Sequence, residues 1–242
     1  MIQIIPAIDI IDGRCVRLSQ GDYSRQKVYD AVPEDMVRRY ADCGVTRVHL
    51  VDLDGAKASG PRNLRTLEKL AGLSLVKLEW GGGIKDETAL RSVFSAGGDY
   101  AVVGSTAALH PELFKVWLTA FGPGKMVLGA DLKDGAVAVN GWLESTALGI
   151  DELVDAFLPC GLSQVICTDI SRDGMLQGPS DGLYTRLQEK YPMVDFTVSG
   201  GIASMADIER LDASGLRKVI VGKAIYENRI ALDDIRSFIE GR

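Results

Sequence analysis

The sequence predicts an α/β protein built as one (β/α)8 TIM barrel, and three observations lead to this fold class. The chain has 242 residues, close to the roughly 250 of a typical single barrel. Short apolar runs alternate with amphipathic segments from end to end, with no linker rich in proline, glycine or serine. An internal repeat divides the chain into two similar halves of four strand–helix units each. An open, doubly wound parallel sheet is the alternative architecture.

Eight segments are apolar at consecutive positions, as expected of strands that are buried on both faces of a parallel sheet. These predicted strands are Ile2–Ile8, Arg47–Leu53, Leu75–Trp80, Tyr100–Val103, Lys125–Asp131, Gln164–Thr168, Asp195–Ser199 and Lys218–Val221. Helical periodicity appears between them, for example where Met36, Val37 and Tyr40 share one helix face. We therefore predict a single domain over residues 1–242, with half-barrel repeats at about 1–122 and 123–242.

Composition and charge exclude several classes of partner. Hydrophobic residues make up 46% of the chain, and the formal net charge of −6 gives no basis for a nucleic-acid or anionic-membrane partner. Four cysteines without a CxxC pairing indicate reduced thiols. Two histidines, His49 and His110, are too few and too far apart to indicate a metal site. The N-terminal apolar run is too short for a signal peptide, so we expect a cytoplasmic monomer without a metal.

The internal repeat is clearest at two pairs of glycine-containing motifs. WGGGI precedes VVGS in the first half, and VSGGI precedes IVGK in the second. Gly83 and Gly104 are 21 residues apart, as are Gly201 and Gly222, and the two pairs are offset by 118 residues. A glycine turn after a buried strand lets the backbone approach an anion, and the following helix offers free N–H groups. The repeat thus predicts two phosphate sites on opposite sides of one barrel end, unless the glycines only form tight turns.

Three aspartates are expected at the same end of the barrel. Asp9 and Asp131 lie where the first and fifth predicted strands end, at equivalent positions of the two halves. Opposed carboxylates suit acid–base chemistry on two faces of one substrate, although strand-end aspartates also cap loops or pair with lysines. Asp173 follows the sixth strand in the motif SRDG. It supplies a third carboxylate or forms a turn before Gly174.

Two further side chains are candidates for ligand contacts. Arg17 lies after the first strand, in a segment whose alternating pattern predicts a small hairpin over the barrel end. An arginine in such a hairpin can clamp a phosphate. Trp142 lies in the loop after the fifth strand, where it either stacks on a flat ligand or anchors the loop to the barrel.

Motifs along nearly the whole chain resemble those of one family. In order, they are IIPAIDIIDG, CVRLSQGDY, VHLVDLDGAK, WGGGI, VVGS, GWLE, CTDISRDGMLQGP, SGGI and VIVGKA. Together they resemble the phosphoribosylformimino-5-aminoimidazole carboxamide ribotide isomerases of histidine biosynthesis. VRLSQGDY and the SRDG loop distinguish that family from its sister cyclase, which shares the half-barrel repeat.

The resemblance implies an Amadori rearrangement of an N-linked phosphoribosyl aminoaldose to the aminoketose, without a metal or redox cofactor. Its substrate carries a phosphate at each end. Carried over to this sequence, the resemblance makes Asp9 the general base and Asp131 the general acid, and it places Asp173 and Thr168 in the site. The residues that it assigns to the phosphates are Gly83, Gly104 and Ser105 at one end, and Gly201, Gly222 and Lys223 at the other.

This chain departs from the family pattern at the end of the third strand and in the loop after it. Glu79 and Trp80 stand where smaller residues are usual, and Lys85 stands where arginine is common, so that the charge is kept but the bidentate geometry is lost.

Three other functions remain open. They are the sister cyclase, an isomerase that also accepts phosphoribosylanthranilate of tryptophan biosynthesis, and a non-enzymatic sensor of a phosphorylated metabolite. VRLSQGDY argues against the cyclase, and carboxylates beside both phosphate loops argue against the sensor.

Overall fold

The structure is a computed structural model that describes residues 1–19, 22–29, 31–58 and 60–241. Twelve strands and eleven α-helices are present in this part of the chain, with a short 3₁₀ helix at Leu158–Cys160. In chain order the strands and helices are β1 (Gln3–Ile11), β2 (Arg14–Ser19), β3 (Asp22–Val28), α1 (Pro33–Asp42), β4 (Arg47–Asp52), α2 (Leu53–Lys57), α3 (Leu64–Leu73), β5 (Lys77–Gly81), α4 (Glu87–Ser95), β6 (Tyr100–Val103), α5 (Ser105–Leu109), α6 (Pro111–Phe121), β7 (Met126–Lys133), β8 (Ala136–Val139), β9 (Glu144–Gly149), α7 (Ile150–Asp155), β10 (Gln164–Asp169), α8 (Asp181–Lys190), β11 (Asp195–Ser199), α9 (Met205–Ala213), β12 (Lys218–Val221), α10 (Lys223–Tyr226) and α11 (Leu232–Glu240).

Eight of these strands form a closed parallel barrel. They pair in the order β1, β4, β5, β6, β7, β10, β11 and β12, and β12 pairs again with β1. The predicted (β/α)8 fold is confirmed. The open, doubly wound alternative is wrong, because an open sheet would leave β12 and β1 as unpaired edges.

Apolar side chains fill the barrel and separate it from the helices. A compact cluster inside the barrel contains Ile5, Ala7, Val127, Ile166 and Ile220. A much larger cluster packs the outer strand faces against the helices, and there burial of each large apolar side chain contributes about 1.5–3 kcal/mol. The alternation of inward and outward residues explains why these strands are apolar at consecutive positions.

The helices bury the faces that the sequence pattern predicts. Helix α1 starts at Pro33, a residue favoured in the first helical turn, and it buries Met36, Val37 and Tyr40. Helix α11 buries Ile235 and Phe238. Within the described residues, no helix combines the length and the apolar character that crossing a bilayer requires.

Three of the eight predicted strands have the bounds that the sequence predicts, and others shift for identifiable reasons. The strand predicted from Leu75 begins only at Lys77, because Ser74 adopts the left-handed conformation that ends α3 and Leu75 is exposed. Strands β1 and β7 run past their predicted ends, because each continues into an antiparallel hairpin, β1 with β2 and β7 with β8.

The two hairpins occupy equivalent positions in the two halves. The predicted hairpin after the first strand is confirmed as β2 and β3. The second, β8 and β9, was not predicted. The turns that lead from β1 into β2 and from β7 into β8 each contain an Asp-Gly pair in which φ is positive, +49° and +70° at Asp12 and Gly13, and +51° and +83° at Asp134 and Gly135. Asp-Gly is a strong signal for such a two-residue turn, so the sequence did carry the information.

Candidate active site

The carboxyl ends of the barrel strands surround a cavity of about 290 Å³. In barrels of this type, active sites lie at this end. Every residue that the sequence analysis predicts for the site lines this cavity, namely Asp9, Arg17, Gly83, Gly104, Ser105, Asp131, Trp142, Thr168, Asp173, Gly201, Gly222 and Lys223. A larger cleft of about 550 Å³ between α1 and α11 contains none of them. Chemistry rather than volume therefore identifies the barrel end as the site.

Gly82 and Gly83 form a tight turn directly after β5, which we call the first glycine turn. Gly82 and Gly83 have φ of +99° and +79°. A Cβ at Gly83 would lie 2.6 Å from the backbone nitrogen of Pro61, and a Cβ at Gly82 would collide with the carbonyl oxygen of Asp52. Only glycine fits both the conformation and the space. The next strand ends at Gly104, the N-cap residue of the short helix α5, so two strand ends present bare backbone to the cavity.

Gly200 and Gly201 form the second glycine turn, which repeats this geometry after β11. Gly200 and Gly201 have φ of +94° and +88°, close to the values of the first pair. Gly222 is the N-cap residue of the short helix α10, as Gly104 is of α5. In barrel order β5 and β6 lie opposite β11 and β12, so the two glycine turns face each other across the cavity.

Arg17 contacts both the Asp9 carboxylate and Gly222, the N-cap residue of α10. Its Nη1 donates to Oδ2 of Asp9 at 2.7 Å, and a Cβ at Gly222 would collide with the same guanidinium. Arg17 lies on β2, so the hairpin brings this cation over the end of the barrel. Lys223 lies next to it in the cavity lining, and its Nζ donates to the carbonyl oxygen of Gly174 at 2.7 Å. Two cations are thus concentrated on one side of the cavity.

Asp131 is held by two hydrogen-bond donors. Trp142 donates its indole N–H to Oδ2 of Asp131 at 2.7 Å, and Thr168 pairs with Asp131 in the register of β7 with β10. Burial raises the pKa of Asp131, while the hydrogen bonds from Trp142 and Thr168 and the nearby His49 oppose the shift. Trp142 therefore anchors its loop to the barrel in this structure.

Asp173 is a desolvated carboxylate with a raised pKa. It lies in the turn after β10 and also lines the cavity, so the two roles considered for it are compatible. Desolvation raises the pKa of Asp173 to about 6. Arg17 opposes this shift, whereas the charges of Asp9 and Asp131 add to it. Asp173 therefore keeps its proton up to a higher pH than an ordinary aspartate, to about pH 6.

Glu79 and Trp80, the two unusual residues at the end of the third predicted strand, have separate roles. Glu79 is fully buried, forms an ion pair with Arg47, and lies 2.7 Å from Nδ1 of His49. Burial alone would raise the pKa of Glu79, but His49 and Arg47 hold it below its ordinary value. His49 lines the cavity, so this pair forms part of its floor. Trp80 instead packs in the outer core, and Lys85 lies exposed at the rim.

Some cavity residues were missed by the sequence analysis. Gly82 and Gly200 directly precede predicted glycines, and the repeated Gly-Gly pair was a signal for both. Asn140 donates its backbone N–H to Oγ of Ser105 at 2.9 Å, which ties the β8–β9 hairpin to the first half of the barrel. No local pattern indicated this contact, because it joins residues 35 positions apart.

Comparison with known proteins assigns the chain to a family. The family model described as "Histidine biosynthesis protein" matches residues 3–231. A Cytophaga hutchinsonii protein named 1-(5-phosphoribosyl)-5-((5-phosphoribosylamino)methylideneamino) imidazole-4-carboxamide isomerase is 47% identical over 238 residues, covering 98% of this chain and 99% of its own. Proteins with the same name from Parabacteroides distasonis and Bacteroides thetaiotaomicron are 44% and 45% identical, covering 98% and 99% of this chain and all of their own. With matches of this length and similarity, the chain belongs to the histidine biosynthesis protein family.

Proposed function

We propose that this chain is an isomerase of histidine biosynthesis, which converts 1-(5-phosphoribosyl)-5-((5-phosphoribosylamino)methylideneamino)imidazole-4-carboxamide to its aminoketose isomer. The observation that carries the proposal is the single cavity in which two glycine turns face each other with three carboxylates among its lining residues. The names of relatives more than 40% identical over nearly the whole chain support the same activity. The substrate has a phosphoribosyl group at each end, which matches two phosphate sites.

Each glycine turn is proposed to bind one phosphate. Gly83 and Gly104, with the Ser105 hydroxyl, form the first site, because exposed backbone N–H groups bind phosphate oxygens well. Gly201 and Gly222 form the second, beside the cations of Arg17 and Lys223. That excess of positive charge makes the second site the stronger anion site of the two.

Asp9 is proposed as the general base. Binding at both ends holds the reacting ribose between the carboxylates, which replaces a costly encounter with a fixed geometry. Asp9 is 8% exposed and bonded to Arg17. When the substrate phosphate reaches the second site, it competes for the same guanidinium, and the Asp9 carboxylate becomes available to accept the C2 proton.

Asp173 is proposed as the general acid in preference to Asp131, the residue that the family resemblance implies. The acid protonates the furanose ring oxygen, the ring opens to an iminium, and removal of the C2 proton gives an enolamine that tautomerises to the ketone. A pKa of about 6 favours Asp173 as the proton donor. Burial raises the pKa of Asp131 as well, but its carboxylate already accepts hydrogen bonds from Trp142 and Thr168, which oppose that rise, so we assign Asp131 the role of stabilising the cationic iminium.

Trp142 is proposed to serve the substrate after leaving Asp131. Its indole lies in the lining of the cavity and can stack on the imidazole carboxamide. Each proton transfer contributes on the order of 10²–10⁴-fold to the rate, and every transfer can be made by a side chain of this cavity. We also propose that the protein acts as a monomer in the cytoplasm, a location that its unpaired cysteines fit.

The proposal is tested by assaying the purified protein with the histidine intermediate and with phosphoribosylanthranilate side by side. We expect conversion of the histidine intermediate by the wild type and none by Asp9→Asn prepared identically. Turnover of phosphoribosylanthranilate as well would establish dual specificity. Binding of the histidine intermediate without turnover would favour the sensor, and no binding would refute the assignment.

A further inference from the structure

We propose that Asp52 and Asp169, the last residues of β4 and β10, are positioning residues. Each supports the glycine turn that follows the neighbouring strand, Gly82–Gly83 after β5 and Gly200–Gly201 after β11. We further infer that only Asp169 also positions the general acid. Both statements rest on the proposed function, which assigns phosphate binding to the two glycine turns.

The Asp52 carboxylate is a hydrogen-bond hub inside the protein. It is fully buried and accepts backbone N–H groups from Gly55 at 2.8 Å, Arg62 at 2.6 Å and Asn63 at 3.1 Å. The side-chain amide of Asn63 donates as well, at 2.7 Å. These donors lie at both ends of the segment that leaves β4, so one carboxylate joins the two ends of that segment. A buried carboxylate is stable there because several N–H groups replace its water.

The first glycine turn packs against the segment whose ends Asp52 joins. A Cβ at Gly83 would lie 2.6 Å from the nitrogen of Pro61 and 2.7 Å from the carbonyl carbon of Gly60. The carbonyl oxygen of Asp52 itself packs against Gly82. Asp52 therefore contacts one glycine of the turn directly and controls the backbone that contacts the other.

Asp169 has the same relation to its own loop. Its Oδ1 accepts the backbone N–H of Ser171 at 2.9 Å and the hydroxyl of the same residue at 2.6 Å. Its Oδ2 accepts the hydroxyl of Ser180 at 2.5 Å. One carboxylate again joins the two ends of the segment that follows its strand.

The second glycine turn packs on this loop as the first does on the other. A Cβ at Gly200 would lie 2.8 Å from the carbonyl oxygen of Asp169. Gly178 donates its N–H to the carbonyl oxygen of Gly201 at 2.9 Å, and a Cβ at Gly201 would collide with the carbonyl oxygen of Gly178. Two strand-end aspartates, one in each half of the barrel, thus support two glycine turns by the same construction.

The two loops differ in what else they carry. Asp173, the proposed general acid, lies in the loop of Asp169 and donates its backbone N–H to the Asp169 carbonyl oxygen at 3.0 Å. None of the residues assigned to proton transfer lies in 53–63. Loss of the Asp52 hub should therefore affect phosphate binding alone, whereas loss of the Asp169 hub should affect phosphate binding and proton transfer.

Steady-state kinetics test this difference, because an altered KM with constant kcat marks lost substrate binding. We expect Asp52→Asn to raise KM at least about tenfold while kcat stays within about twofold. We expect Asp169→Asn to raise KM similarly and to lower kcat at least about tenfold as well. Asp99→Asn is the matched control, because Asp99 also accepts a backbone N–H, from Leu78 at 2.9 Å, but at the amino end of the barrel. Equal effects of all three substitutions would overturn the proposal.

Crystals of each variant soaked in inorganic phosphate give a readout that needs no turnover. Asp52→Asn should lose phosphate at Gly83 and Gly104 and keep it at Gly201 and Gly222, and Asp169→Asn should show the reverse. Phosphate at both turns in both variants would overturn the positioning role. This pattern in a protein whose wild type does not turn over the substrate would instead refute the proposed function alone.

Two milder substitutions keep the test decisive if the asparagine variants do not fold. Asn63→Ala removes one donor from Asp52, and Ser180→Ala removes one donor from Asp169. Each should reproduce the loss of its own phosphate site and its own kinetic pattern in weaker form. Folded variants with wild-type KM and both phosphates in place would contradict the inference.

Discussion

Asp9, Asp131 and Asp173 line one cavity, and each has different partners. Asp9 is bonded to Arg17, Asp131 accepts the Trp142 indole N–H, and desolvation raises the pKa of Asp173 to about 6. Carboxylates with different contacts are suited to different steps of acid–base catalysis. The sequence places Asp9 and Asp131 as a symmetric pair, but their contacts and the buried third carboxylate break that symmetry.

At this scale the first prediction concerns the general acid. Because Asp173 must be protonated to act, kcat/KM of the wild type should fall as the pH rises through about 6, where Asp173 loses its proton. Asp173→Asn should lack this alkaline limb and lose at least about 10²-fold in kcat. Asp131→Asn, the isosteric comparison, should keep the limb. If only Asp131→Asn removes it, Asp131 is the acid and the assignment made here is wrong.

The second prediction concerns the base. Asp9→Asn should reduce turnover below detection while substrate affinity stays within about tenfold, since the amide keeps the size of the side chain and loses the base. Binding is measured by titration calorimetry and turnover by the isomerase assay. A kcat close to that of the wild type would remove Asp9 from the mechanism.

The loop of the β8–β9 hairpin has three successive residues with positive φ beside the cavity. Asn140, Gly141 and Trp142 in succession have φ of +55°, +68° and +70°. Non-glycine residues in this region are uncommon and cluster at functional sites, where the surrounding structure holds them in place. Here the hydrogen bonds from Asn140 to Ser105 and from Trp142 to Asp131 hold the hairpin onto the barrel.

The third prediction separates the two roles of Trp142. Trp142→Ala should lower kcat/KM by an amount equivalent to about 1–3 kcal/mol, by analogy with bases stacked on aromatic rings, and change Tm little. Trp142→Phe keeps a ring for stacking and loses the N–H, so it should retain most of the activity. A large fall in Tm with normal kcat/KM in the alanine variant would mean that the side chain only anchors the hairpin.

The glycine turns allow a fourth prediction at the same scale. Gly83→Ala should lower the free energy of unfolding by about 1–3 kcal/mol, because alanine is strained at φ +79° and its Cβ meets Pro61. Gly104→Ala should raise KM without this loss, because the nearest atom to its Cβ is the Gly129 carbonyl oxygen at an ordinary 3.5 Å. Denaturant unfolding and steady-state kinetics measure the two effects. Equal stability of both variants would show that Gly83 has no conformational role.

Over the whole molecule, what the sequence could predict depended on whether the signal was local or repeated. Strand positions followed from apolar runs, and the lining glycines with Asp9 and Asp131 followed from motifs that recur in both halves. The Asp131–Trp142 hydrogen bond and the Asp52 hub were beyond reach. They depend on where loops fold in space, and periodicity carries no information about that. Both join residues that are not neighbours in the sequence and meet only in the folded barrel.

We propose that the two halves, residues 1–122 and 123–242, are structural repeats. Matching φ values support this proposal, +49° and +51° at Asp12 and Asp134, and +79° and +88° at Gly83 and Gly201. Superposition of the halves should pair β1 with β7, β4 with β10, β5 with β11 and β6 with β12. An optimal superposition with a shifted strand order would contradict a simple duplication.

The most direct test of the whole account is a crystal structure of Asp9→Asn with the unconverted histidine intermediate bound. The account predicts one phosphate at Gly83 and Gly104, the other at Gly201 and Gly222, and the reacting ribose between residue 9 and Asp173. The Trp142 indole should have left Asp131 and lie against the imidazole. A substrate with only one phosphate held by a glycine turn, or with its ribose out of reach of Asp173, would contradict the proposed mechanism.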